Sequence, residues 1–307
     1  MPNHKIGSSS AITWYGTKHK LSDIIEQYLP RHTTYVEVFG GSASLLLDKA
    51  PSRIEVYNDI NQDLVTFFRV LQDEEKFKKL MHKLTYTLYS RQEYEEALAT
   101  VESEQDEIEK ARKIFIITKM AALQRVGGKW GYVVRTAISY PPSNVRKWAT
   151  SLVHLENLHS RLLPVQIEND TFENIINRYD YKEACFYCDP PFVSKYEWRK
   201  RQRIYEEYNS FSEENINILN NQLLNIQGTA TITVRPSTEY IPLFKRYKAH
   251  LIKSNELDKV PLIIFSEISP HLEKVENITI SDFKYLINRF AEKGEKNYSN
   301  SEEVPSQ

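Results

Sequence analysis

The sequence predicts an α/β fold built on a parallel sheet with right-handed crossovers. Three observations point to it. Strand-like and helix-like segments alternate in the first 72 residues and again after residue 164. Several strand-like segments end in Gly, Asn, Asp or Pro and run on into a helical pattern. Only the middle of the chain breaks the alternation, with long helical periodicity in place of strands.

The elements follow in order. Leu21, Ile24, Ile25, Tyr28 and Leu29 recur at helical spacing, Ser22 and Asp23 stand near the start, and Pro30 ends the run. Tyr35 to Phe39 reads as a strand that runs into Gly40-Gly41-Ser42 and a helix through Leu47. A strand at 54–57 ends in Asn58-Asp59 and is followed by a helix over 63–71. The character changes over 73–163, where residues 102–109 are acidic and helices are predicted over 108–123 and 145–162. Between those helices, Gln124 to Tyr132 holds Gly127, Gly128 and Gly131 of a chain with only 9 glycines. This segment is read as an inserted lobe. Alternation resumes with strands at 165–168, 184–188, 229–234 and 260–265 and helices ending at Arg178, over 212–224 and over 238–247. One α/β domain, 1–72 plus 164–290, is thus expected to be interrupted by the lobe. The polar residues 291–307 are expected to form a disordered tail.

Composition narrows the class. At 307 residues, 41% hydrophobic and 26% charged, the chain reads as an ordinary globular protein with a substantial core. Its net charge of −1 runs mildly against a dedicated nucleic-acid binder, although local patches matter more than the sum. No stretch approaches the ~20 apolar residues of a membrane span, and Met1 to Ser10 has no apolar signal core. Cys185 and Cys188 have C-x-x-C spacing, which can mark a redox or zinc site. They lie in an apolar run without a second ligand pair, so buried structural thiols are expected, no metal is called for, and a cytoplasmic setting fits.

Three constellations carry chemistry. Gly40-Gly41-Ser42 follows a strand and opens a helix, where a nucleotide-type cofactor can approach bare backbone; a plain tight turn is the alternative. Asp59 ends the next strand, close to the ~20 residues past the turn at which an acid meets ribose hydroxyls. It is equally placed to cap the following helix. Asp189-Pro190-Pro191-Phe192 follows the apolar strand 184–188. The prolines remove two backbone donors, leaving carbonyls beside the Asp189 carboxylate as acceptors. Such a pair suits an exocyclic amine, with Phe192 offering a face on which a base can stack.

With these motifs in this order, the chain resembles the Dam-like amino-methyltransferases that modify adenine in DNA, especially their phage and prophage branch. The resemblance runs from about Ile12 to Phe265. It implies a Rossmann-like methyltransferase domain dependent on S-adenosylmethionine, carrying an inserted, mainly helical target-recognition lobe. Trp14, Tyr15, Gly16 and Lys18 match the N-terminal cofactor motif, and Glu37, Phe39, Gly40, Gly41 and Ser42 the cofactor loop. Asp59 falls at the ribose acid, and Asp170 with Phe172 at the motif that reads the cofactor's adenine. Asp189, Pro190, Pro191 and Phe192 match the catalytic motif, and Asp189 also borders the cofactor. The chain departs from the pattern at Thr17 (usually Gly), Val38 (usually Pro), Ala43 (usually Gly), Phe192 (usually Tyr) and Thr233-Val234-Arg235-Pro236, where a small turn is common.

The expected partner is double-stranded DNA. Lys195, Arg199, Lys200, Arg201 and Arg203 cluster just after the catalytic motif, with Tyr196 and Trp198 interleaved. They suit phosphate contacts, or simply form a solvated helix face. Arg125, Lys129 and Arg135, with Arg146 and Lys147, offer a second patch in the lobe. Competing readings are a binding-only relative, a methyltransferase for a different amine, and a nicotinamide dehydrogenase. Asp at 189 favours adenine over cytosine or amide targets, where Ser or Asn is usual, and a dehydrogenase leaves Asp-Pro-Pro-Phe unexplained. Target sequence, a cognate restriction nuclease and oligomeric state are left open.

Overall fold

Five β-strands build the parallel half of one sheet. The computed structural model describes residues 12–14, 17–122, 126–134, 140–191, 211–252 and 261–299, with side chains through 289. Strand β1 (Thr34–Glu37) pairs in parallel with β2 (Ile54–Asn58) on one side and β4 (Ala184–Cys188) on the other. β2 pairs with β3 (Gln166–Glu168), and β4 with β5 (Thr229–Val234), again in parallel. The far edge departs from the parallel pattern. There β6 (Lys248–Ile252), β7 (Leu262–Ser266) and β8 (Val275–Ile278) close the order β3-β2-β1-β4-β5-β7-β6-β8 with antiparallel pairings. β1 and β4 lie side by side where the strand order turns back, the place at which open α/β sheets bind ligands beyond their strand ends.

Polar side chains cap the starts of most of the longer helices. α1 (Ser22–Glu26) and α2 (Ser44–Asp48) are short. The side chain of Asn61 accepts backbone N–H bonds at the start of α3 (Gln62–Gln72). Asp73, Ser90 and Asp106 do the same for α4 (Glu74–Thr85), α5 (Arg91–Thr100) and α6 (Glu107–Met120). α6 stops short of the predicted Leu123 because the chain turns back: Ala122 N–H donates to Lys129 C=O at 2.8 Å and Gly131 N–H to Met120 C=O at 2.8 Å. α7 (Ser143–Leu162) follows, then α8 (Phe172–Tyr179), capped by Thr171, and α9 (Glu213–Asn225), where Ser212 and Asn215 form a capping box. The helix predicted over 238–247 is a 3₁₀ helix, Thr238–Lys245, with Pro242 inside it. That proline has no N–H for an α-helical bond. Of the polar residues expected to form a tail, 291–299 instead continue α10 (Ile280–Ser299), and 300–307 lie outside the described residues.

The sheet has two unlike faces, because side chains alternate along each strand. Val36, Val56, Phe186 and Ile232 pack with Ile175, Ile176, Ile216 and Leu219 of α8 and α9. Tyr35, Tyr57 and Tyr187 point the other way, into a core shared with Phe67 and Phe68 of α3, Phe115 of α6 and Leu155 of α7. Segment 73–163 therefore packs on this second face, with α6 and α7 lying directly on α3. Cys185 and Cys188 are free and buried in β4, as expected for structural thiols, and burial pushes the Cys185 thiol up to about 12.

Candidate active site

The loops after β1, β2, β3, β4 and β5 leave the same end of the sheet, because these strands run in parallel. The loop after β1 is held against bare backbone. Gly40 N–H donates to Asn58 C=O at 2.7 Å, and a Cβ on Gly40 would fall 2.1 Å from Cε2 of Tyr57. Gly41 has φ of +51°, a Cβ there would meet Trp14 Cδ1 at 3.3 Å, and its carbonyl accepts from Tyr57 OH at 2.9 Å. Glycine is required at 40 by space and favoured at 41 by backbone conformation.

Asp59 closes this loop. Its Oδ2 accepts Gly41 N–H at 2.7 Å and its Oδ1 accepts Asn61 N–H at 2.8 Å, while burial raises the carboxyl above its usual range. A carboxylate has about four lone-pair positions, so about two remain open after these two bonds. The cap of α3 is Asn61, not Asp59. Asn58, which motif reasoning passed over, ties three loops together from a buried position. Its amide donates to Val38 C=O at 2.9 Å and Asp170 C=O at 3.1 Å, and accepts Asp170 N–H at 2.9 Å. Phe39, Phe172 and Phe211 meet with centroids 5.5–5.7 Å apart. Asp170 turns to Thr171 N–H, Asn174 and Arg178, and those donors hold its carboxyl below the usual range.

Val38 and Thr17 make bonds that the usual proline and glycine could not. Val38 N–H donates to Tyr187 C=O at 3.0 Å, extending the β1–β4 pairing in a way that proline cannot. The hydroxyls of Thr17 and Ser42 lie 2.9 Å apart, joining the N-terminal segment to the loop. Ala43 takes a left-handed conformation, φ of 55°, at the place where glycine is usual. Lys18 N–H donates to Ser44 Oγ at 3.3 Å.

Below this loop lies Glu37, 2% exposed, whose Oε2 accepts from Tyr35 OH at 3.0 Å and Leu46 N–H at 2.9 Å. Burial pushes its carboxyl up to about 8. With both bonds on Oε2, the protonated acid keeps its acceptor and carries its proton on Oε1. Glu37 is thus directed at α2, holding the helix that follows the loop. From the other side, Arg161 of α7 donates to Leu46 C=O at 2.6 Å and grips Glu55 at 2.5 and 2.9 Å. Lys49 reaches the same Glu55 at 2.6 Å. No motif marks Arg161; only the packing of α7 brings it here.

At the end of β4, Asp189 receives Lys18 Nζ on Oδ1 at 2.8 Å and on Oδ2 at 2.6 Å. Thr233 of β5 donates to Oδ1 at 2.8 Å. Pro190 is buried and Pro191 half-buried. So the Gly40-Gly41 loop, Asp59, Lys18 and Asp189, far apart in sequence, converge at one end of the sheet.

A family model for D12 class N6 adenine-specific DNA methyltransferases matches residues 14–257. The chain belongs to this family. The protein is therefore an enzyme that methylates adenine in DNA with S-adenosylmethionine as the methyl donor. No curated protein matches the chain. The methyltransferase shows, among its described residues, no helix long and apolar enough to cross a membrane and no cluster of His, Cys, Asp and Glu fit for a metal ion.

Other sequence-predicted site residues stand apart or out of view. Tyr15, Gly16, Arg125, Arg135, Phe192, Lys195, Arg199, Lys200, Arg201 and Arg203 lie outside the described residues. Lys129 is exposed on the turn after α6, next to Trp130 and Tyr132, whose rings stack at 5.5 Å. Arg91 of α5, which sequence reasoning missed, lies over both rings, 4.8 Å from the Trp130 centroid and 5.3 Å from that of Tyr132.

Proposed function

We propose that Asp189 and the carbonyl of Pro190 are the groups that accept the two hydrogens of adenine's amine. Adenine's amino nitrogen is a poor nucleophile because its lone pair is delocalised into the ring. Holding both hydrogens in acceptors favours a pyramidal nitrogen with that lone pair released. The observation that carries this reading is the carboxylate of Asp189, oriented from two sides by Lys18 and Thr233 beside a proline pair that cannot donate. Most of the rate gain comes from positioning and preorganised charge.

The cofactor fits the residues present. Bare backbone at Gly40 and Gly41, the two uncommitted positions on Asp59, and the Phe39–Phe172–Phe211 cluster suit a nucleoside with a ribose diol. Trp14 lies over Gly41, and Lys18 joins the cofactor loop to Asp189. When bound, S-adenosylmethionine supplies an electrophilic methyl on a sulfonium. Glu37 acts beneath the loop by holding α2.

The target adenine is unreachable inside a duplex and is flipped out, at a cost of a few kcal/mol. Phe192 stacks on it, the basic residues 195–203 contact the backbone, and the lobe 73–163, with Lys129 on its surface, selects the site. The test is methyl transfer from labelled S-adenosylmethionine to unmethylated duplex DNA, with nucleoside analysis. Label in N6-methyladenine is expected, and Asp189→Ala is expected to lose at least about 10³-fold in rate while cofactor affinity changes little. Retained turnover in that variant would overturn the assignment.

A further inference from the structure

We infer that Thr233 and Tyr187 are positioning residues for Asp189, forming a one-way hydroxyl relay that occupies Oδ1 and leaves Oδ2 to the amine of the target base. The inference rests on the reading of Asp189 as the amine acceptor. No motif marks either residue; they meet because β4 and β5 are neighbours in the sheet. Cys188 pairs with Ile232, so Thr233 stands beside Asp189, just beyond the last paired rung.

The direction of the relay follows from donor counting. Thr233 Oγ lies 2.8 Å from Asp189 Oδ1 and 3.1 Å from Tyr187 OH. An ionised carboxylate only accepts, so the single hydroxyl hydrogen of Thr233 goes to Asp189. The hydrogen of the second bond must then come from Tyr187. Thr233 is fully buried and Tyr187 is 2% exposed, so water does not compete for either hydroxyl. Tyr187 belongs to the same polar sheet face as Glu37, and burial holds its phenol well above its usual range and therefore protonated.

The other threonines of β5, Thr229 half-buried and Thr231 buried, show what an ordinary hydroxyl does on this face. Thr229 donates to the carbonyl of Ala184 at 3.1 Å, and Thr231 to the carbonyl of Tyr28 at 2.7 Å. Each satisfies a backbone acceptor. Thr233, in the same alternation, is turned instead to the side-chain carboxylate at the site. Of the roughly four lone-pair positions on Asp189, Lys18 takes one on each oxygen and Thr233 takes the second on Oδ1. Among the described residues, the position left lies on Oδ2. The relay therefore decides which oxygen meets the amine and fixes the rotation of the carboxylate.

The consequence is measurable. Removing the Thr233 hydroxyl leaves Oδ1 of Asp189 with Lys18 alone and frees the carboxylate to rotate. Thr233→Val preserves shape and deletes the hydroxyl. In methyl transfer to duplex DNA, kcat is expected to fall about 10- to 100-fold, with KM for S-adenosylmethionine within about threefold of the parent. Thr233→Ser, which keeps the donor, is expected to restore the rate. Tyr187→Phe is expected to act in the same direction with a smaller effect.

A Thr233→Val enzyme with parental kcat would overturn the relay. Equal losses in Thr233→Val and Thr233→Ser would also overturn it, since packing alone would then explain them. The carbon-13 resonance of the Asp189 carboxyl, compared in the parent, Thr233→Val and Thr233→Ser, reads the lost and restored hydrogen bond without turnover. If the parent failed to methylate DNA, the amine-acceptor reading would fall, and an unchanged resonance in Thr233→Val would still overturn the relay while a changed one restored by Thr233→Ser would support it.

Discussion

On one side of the sheet Val36, Val56, Phe186 and Ile232 meet α8 and α9 as an aliphatic and aromatic layer. On the other side, the same strands present Tyr35, Glu37, Glu55, Tyr57, Tyr187 and Thr233. The first face is sealed by packing. The second is a buried polar layer in which the carboxylates differ in their partners. Asp189 is held by Lys18, and Glu55 by Lys49 and Arg161. Glu37 has a phenol and an amide but, among the described residues, no cation in contact. Its carboxyl responds by moving up to about 8. Burial penalises a charge unless a counter-charge or enough donors offset it. The comparison teaches that the polar face does two tasks, orienting groups at the site and clamping the helix that carries the cofactor loop.

The largest expected effects set the two faces against each other directly. Arg161→Met leaves Glu55 buried with only Lys49, and is expected to lower stability by about 3–5 kcal/mol. Phe186→Ala opens a cavity in the apolar face, with an expected loss also of about 3–5 kcal/mol. Denaturant unfolding measures both. The faces separate in the rescue. Replacing Lys49, Glu55 and Arg161 together by apolar residues of similar volume is expected to recover most of the loss, since no charge is then left uncompensated. Failure to recover would mean that the cluster contributes more than charge balance. Phe186→Ala is expected to keep its cofactor affinity per folded molecule, whereas Arg161→Met, by freeing α2, is expected to weaken it.

Gly40→Ala comes next. Its Cβ would overlap the ring of Tyr57 at 2.1 Å, and that ring also holds Gly41 by its hydroxyl. A loss of about 1–3 kcal/mol is expected, together with a weakened affinity for S-adenosylmethionine in calorimetric titration. Unchanged affinity would show that the loop tolerates displacement of Tyr57.

The effect that is smallest at any one step, though cumulative, concerns pH. The folded value of Glu37, about 8, lies above its ordinary 4.5. The stability it contributes is therefore complete below about pH 4.5 and is lost as the pH rises toward 8. Glu37→Gln keeps an acceptor for Tyr35 and Leu46 and cannot ionise. The parent is expected to lose stability relative to this variant between about pH 5 and 8, by at most ~1.4 kcal/mol per pH unit. Melting temperatures across that range measure it, and parallel curves would mean that Glu37 is ionised in the folded protein.

Much of the parallel half of the sheet was legible in the sequence, since β1, β2, β4 and β5 follow apolar runs with clear turn residues at their ends. The glycine pair, Asp59 and Asp189 were legible for the same reason: each sits where a strand gives way to a loop. β6, β8 and α10 were not, because Lys248–Ile252 and Val275–Ile278 alternate weakly and the polar end of the chain resembles a free tail. Arg161 and Thr233 were illegible in a different way. Each is an ordinary residue of its own element and acquires its role only from a neighbour distant in sequence.

By itself, the sequence determined where most of the parallel strands give way to loops, because a turn needs glycine, proline or a short polar residue whatever lies around it. Tertiary structure alone decided which face of each strand is polar, which cation each buried carboxylate receives, and which oxygen of Asp189 is already occupied. The physical reason is that local propensity acts between near neighbours along the chain. Charge compensation and hydrogen-bond direction depend on what packing places within about 3 Å, wherever in the chain it comes from.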